Sequence, residues 1–152
     1  MKKTLIILLI MSLQSCGYKS LVKESTNQIS FNQIEYKGDS NLSFLLKSKL
    51  NLKKNLNSQH TILIDTSSNL STLDKSSTGE IISKDIIINS NISIYTNKKL
   101  EFSNSFSEKK TLKIGSSLSS NLDTIESAKS NLINNIANRI EIDIKFFEIR
   151  KK

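Results

Sequence analysis

Apolar residues recur along this chain with three spacings, and each spacing marks a different element. In residues 80–97 (EIISKDIIINSNISIYTN) the period is two. Ile86, Ile88, Ile92, Ile94 and Thr96 share one face, and Ile87, Asn89, Asn91, Ser93 and Tyr95 share the other. Strict alternation of this kind marks a half-buried strand. Leu100, Phe102 and Phe106 alternate against Glu101, Ser103, Ser105 and Ser107 after a turn at Asn97, Lys98 and Lys99. The two segments predict a long hairpin, prolonged by residues 111–114 after a basic break at Lys109 and Lys110.

The second spacing is helical. Leu42, Leu45, Leu46, Leu50 and Leu56 lie on one side of a segment whose other side carries Lys47, Lys49, Lys53 and Lys54. This predicts an amphipathic helix of about fifteen residues, capped by Ser40 or Asn41 after a turn at residues 37–40. Such a helix packs on a sheet or, with its basic side, lies on a membrane surface. Ile125, Ala128, Leu132, Ile133, Ile136, Ala137 and Ile140 trace a second helix. Ser120 or Asn121 would cap it, with Asp123 and Glu126 near its positive end. Residues 141–152 either prolong this helix or pair as a strand.

Weaker signals fill the rest. Residues 28–36 (QISFNQIEY) alternate with an irregularity near Gln33. Residues 61–66 (TILIDT) read as a strand followed by a Ser/Thr/Asn-rich stretch, 67–78. The order is then strand, helix, three antiparallel strands, helix. That order predicts an α+β domain with two helices packed on one face of a mostly antiparallel four-stranded sheet.

The third spacing is a continuous apolar run, residues 4–13 (TLIILLIMSL), behind Met1, Lys2 and Lys3. As a helix it reaches only about 15 Å, half of a bilayer core. A basic start, a short apolar core and small residues at the end make a secretory signal. Leu13-Gln14-Ser15-Cys16 resembles the bacterial lipobox, in which the thiol takes diacylglycerol and the chain is cut before the cysteine. The resemblance implies a diacylglycerol and an N-acyl chain on Cys16, and no other cofactor. Gly17 in place of Asp after the cysteine implies sorting to the outer membrane. Residues 1–15 are then the signal, 16–27 an aperiodic lipidated tether, and 28–152 one domain.

Composition narrows the chemistry. At 152 residues the chain suits one domain. Of its 22 lysines and arginines, Lys2 and Lys3 fall in the signal, so the excess over 14 acids shrinks from +8 to about +6. A basic balance favours anionic surfaces. One cysteine and one histidine, His60, cannot build a zinc site or a Cys–His dyad. No G-x-S-x-G, Walker A or G-x-G-x-x-G occurs, so the chain reads as a non-enzyme without a metal. Aromatics make up 6% of the residues and none interleaves with lysines, which argues against nucleic acid.

Cys16-Gly17-Tyr18 behind a lipobox, one strand, a leucine-patterned helix, a three-strand meander and a final helix together resemble the LPS-assembly lipoprotein family of the LptE type. The resemblance spans nearly all of the chain after Cys16. It implies a lipid-anchored, periplasm-facing plug within an outer-membrane β-barrel of the LptD type, aiding lipopolysaccharide insertion into the outer leaflet. Lys98, Lys99, Lys109 and Lys110 are candidates for lipid A phosphates, since lysine serves as a phosphate point charge. The competing reading is an unrelated periplasm-facing α+β lipoprotein that binds another lipid or a solute.

Overall fold

A computed structural model describes residues 29–150. The signal, Cys16 and the tether lie outside the described residues. Eight elements follow in order: β1 (Ser30–Phe31), β2 (Gln33–Gly38), α1 (Ser40–Lys49), β3 (Lys53–Lys54), β4 (His60–Lys75), β5 (Ile81–Thr96), β6 (Lys99–Lys113) and α2 (Leu118–Arg150). The main sheet has the order β2-β4-β5-β6. β2 runs parallel to β4, and the other pairs are antiparallel. The fold is α+β, with both helices against one face of a mixed sheet, as the pattern predicts.

The burial follows from the period-two stripe. Ile62 and Ile64 on β4 lie opposite Ile94 and Ile92 on β5, and all four are fully buried with Ile86 and Ile88. Leu42 and Leu46 of α1 and the stripe from Ile125 to Phe147 of α2 complete one core. In its middle, the buried hydroxyls of Thr66 and Ser90 satisfy each other at 3.2 Å, which avoids the cost of an unpaired buried polar group.

The irregularity expected near Gln33 falls at Asn32, where β1 ends and β2 begins. β1 pairs instead with β3, in parallel. Other expectations need correction. α1 is ten residues long, and its cap is Asp39 rather than Ser40 or Asn41. The Asp39 backbone is extended, and its Oδ1 accepts from the N–H groups of Asn41 and Leu42 at 3.0 and 3.2 Å. Leu50 ends the helix in an extended conformation, so Leu56 lies beyond it and is exposed. α1 packs on β2 and β4, which removes it from the membrane-surface role.

The polar stretch 67–78 is mostly strand, since β4 runs unbroken to Lys75. Its outer half is exposed on both faces and is held by its ladder to β5. The basic break at Lys109 and Lys110 is absent, because β6 is continuous through it. The turn between β5 and β6 is where the pattern puts it, with Asn97 and Lys98 at φ 51° and 67°. α2 begins at Leu118, before the expected caps, and continues through the tail to Arg150. Asp123 and Glu126 therefore lie beyond its first turn. Asn121 instead closes the preceding loop: its amide donates to the Gly115 carbonyl and accepts from the Gly115 N–H. Among the described residues no helix is long and apolar enough to cross a bilayer.

Candidate functional site

The meander has two ends and one uncovered face, and the candidate lysines are divided among them. Lys98 and Lys99 sit at the β5–β6 turn. Two successive residues at positive φ match the right-handed twist of the strands. Glycine is the favoured residue at the second of these places, yet Lys98 occupies it. A side chain there costs about 1 kcal/mol over glycine, so this tip presents a charge where sterics favour none. Beside it, Lys99, Leu100, Glu101 and Phe102 of β6 meet Phe147 and Arg150 of α2 in an open groove. Phe102 and Phe147 pack with ring centroids 5.9 Å apart, and His60 meets Phe147 edge-on at 5.9 Å. The His60 Nδ1 lies 2.8 Å from the Thr96 hydroxyl, which donates to Glu101 at 2.6 Å. His60 thus fastens β4 and β5 under α2.

Lys109 and Lys110 lie ten and eleven residues along β6 from Lys99, roughly 35 Å away at strand rise. The four lysines do not form one cluster. Lys109 lies opposite Ile87, and Lys110 lies opposite Ile86 on the helix-covered side. Lys109 Nζ bonds Asp85 at 2.6 Å, and the Thr111 hydroxyl donates to the same carboxylate at 2.6 Å. Asp85 is nearly buried. The hydrogen bonds from Lys109 and Thr111 hold its carboxyl below the ordinary 3.8, against the opposing effect of burial.

This sets a pH dependence. A folded-state pKa below the unfolded one contributes stability above the unfolded value, which is lost as pH falls through the folded value. Wild type and Asp85→Asn should therefore differ most in thermal midpoint near about pH 7 and converge in acid below the ordinary carboxylate range. A gap that stays constant across that range would contradict the assignment.

The helix-covered side of β6 is tied to α2 by polar contacts. Arg139 bonds Glu108 at 2.7 Å while lying 5.1 Å over the Phe106 ring, and Asn104 donates to Asp143 at 2.6 Å. Sequence reasoning missed these partners because Glu108 and Asn104 break the alternation of the strand. Among the described residues the opposite face of the sheet carries no helix. Asn69, Ser71, Asn89, Asn91, Ser103, Ser105 and Ser107 spread hydroxyls and amides across three strands there. A small cleft lies between Ile29, Asn51, Leu52, Glu141, Ile144, Lys145 and Glu148, with free space of about 60 Å³. That is room for a couple of waters and not for an acyl chain.

With this geometry in view, three solved structures share the fold. The rare lipoprotein B of Shewanella oneidensis superposes with a TM-score of 0.62 at 16% identity, covering 78% of this chain and 98% of that one. A lipoprotein of Caulobacter crescentus gives 0.59 at 12% identity, over 78% of this chain and 92% of that one. The minor lipoprotein of Acinetobacter baumannii gives 0.59 at 10%, over 79% and 95%. These likenesses establish the fold, and each neighbour is spanned almost whole. No family model matches the chain. No curated protein matches it either.

Proposed function

We propose that this protein is an outer-membrane lipoprotein of the LptE type, anchored through Cys16, that serves as the plug and assembly subunit of a β-barrel lipopolysaccharide translocon. One observation carries the reading. The fold is shared with three proteins described as bacterial lipoproteins, and the chain itself bears a lipobox-like Leu13-Gln14-Ser15-Cys16 ahead of that fold. The uncovered sheet face supports the plug. Outer-membrane barrels are polar inside, and a sheet face that carries serine and asparagine side chains across three strands, with Asp85 already paired to Lys109 among them, suits such a wall. The protein binds and positions; it performs no covalent chemistry.

The lysines refine the partner. Lipopolysaccharide phosphates would meet Lys98 and Lys99 at the β5–β6 turn, while Lys109 and Lys110, on opposite faces of β6, lie too far away to share that headgroup. At about 1 kcal/mol for each lysine near an anionic surface, replacing all four by Gln should weaken lipopolysaccharide binding at least about tenfold. Unchanged binding would remove the lysines from the site. Depletion of the protein tests the function itself: the expected result is loss of assembled barrel and of surface lipopolysaccharide. Normal barrel assembly in depleted cells would overturn the reading.

A further inference from the structure

The last turns of α2 carry a second apolar stripe that faces away from the core. Ile142, Phe146 and Ile149 are 50%, 56% and 65% exposed. At about 100° per residue they fall within about 60° of one another, on the side opposite Ile140, Ile144 and Phe147. Three large apolar side chains in a row on a solvent-facing helix surface are not needed for folding, since the buried stripe already supplies the packing. Lys145 flanks the exposed stripe about 40° to one side and Arg150 about 40° to the other. The acids of this segment lie further round the helix than the stripe: Asp143 accepts from Asn104 of β6, and Glu141 and Glu148 line, with Lys145, the cleft that holds Ile29.

The position of Ile29 bears on what the stripe meets. Ile29 shares its cleft with Ile144 and Lys145, so the described chain begins at the flank of the stripe. Only 12 residues, 17–28, separate Cys16 from Ile29 in sequence, a reach of at most about 45 Å. We infer that Ile142, Phe146 and Ile149, with Lys145 and Arg150 beside them, form a membrane-contact face that rests on the anionic surface of the leaflet holding the Cys16 lipid. Apolar side chains enter the headgroup boundary while flanking basic side chains keep their charges at the phosphates, the arrangement of interfacial helices. The inference rests on the reading of Cys16 as the lipid anchor. It adds a second contact that fixes how the tethered domain lies against the membrane.

The test uses the chain from residue 16 onward with Cys16→Ser, so that no lipid contributes. Flotation with vesicles of phosphatidylcholine and phosphatidylglycerol is compared with pure phosphatidylcholine. The expected result is binding to the anionic vesicles, weakened at least about tenfold by the joint change Ile142→Gln, Phe146→Gln and Ile149→Gln. Because all three side chains are exposed, the thermal midpoint should hold, and it is measured alongside. No binding to anionic vesicles, or binding indifferent to the triple change, would overturn the inference. So would a dimer that the triple change dissolves, which assigns the stripe to a second copy, or loss of a co-purifying barrel with vesicle binding intact, which assigns it to a protein partner. The mass of the Cys16 peptide from membranes tests the anchor separately. An unmodified Cys16 would remove the anchor reading while leaving the vesicle result standing.

Discussion

Gly38→Ala is expected to destabilise the domain by about 3 kcal/mol, from positive-φ strain and overpacking together. Gly38 ends β2 at φ +86°, where the chain turns from the sheet into α1. A methyl group there would meet the Thr66 carbonyl oxygen at 2.1 Å and Asp65 Oδ1 at 2.7 Å. The Thr66 oxygen is held in place, because it accepts the Asp39 N–H at 2.8 Å. Asp39 is also the cap of α1, so relief of the clash would pull the cap and the strand edge apart together. Gly79 provides the control. It has a near-identical φ of +87° with nothing within 4 Å of a built methyl group. Gly79→Ala should therefore cost only the conformational part, about 1 kcal/mol. Denaturant unfolding of the two variants isolates the clash as their difference. Equal losses would contradict the close approach at Gly38.

Cys16→Ser is expected to release the protein from carbonate-washed membranes and to abolish incorporation of labelled palmitate. In the proposed anchor the thiol is the nucleophile that takes the lipid, and a serine hydroxyl does not replace it. Two or three acyl chains, at about 0.8 kcal/mol per buried CH₂, hold where one chain or a peripheral helix face exchanges. The wash matters because the exposed stripe of α2 gives the unlipidated chain a weaker, salt-sensitive hold of its own. Palmitate label that persists in the serine variant would show that Cys16 is not the acceptor.

Legibility in the sequence followed the core. β5 was readable because its isoleucines alternate with Asn and Ser, and burial on one face imposes that alternation. The outer half of β4 was not readable. Residues such as Ser67, Asn69, Ser71 and Thr72 are exposed on both faces, so no side-chain period records the strand, and only the backbone ladder to β5 defines it. β6 was obscured at Lys109 and Lys110 for a related reason: Lys109 is held by Asp85, a neighbour 24 positions away in sequence. The start of α1 depended on a local choice among adjacent polar residues. Asp39, Ser40 and Asn41 can each cap a helix, and the close contact of Gly38 with Thr66 selects the first of them. The tail of α2 became helical because Ile144 and Phe147 continue the buried stripe on to His60 and Phe102. Of the candidate site, the lysines were visible as charges, but their separation along β6 emerged only once the strand was seen to be continuous. The exposed stripe from Ile142 to Ile149 is legible in the spacing of a helical tail, and it vanishes if the same residues pair as a strand.

A translocon subunit must be found with its barrel. Affinity purification of the tagged, lipidated chain from detergent-solubilised outer membrane should recover a large β-barrel protein in comparable amount, and the association should survive a further sizing step. Recovery of the chain alone, from membranes in which the barrel is present, would contradict the account.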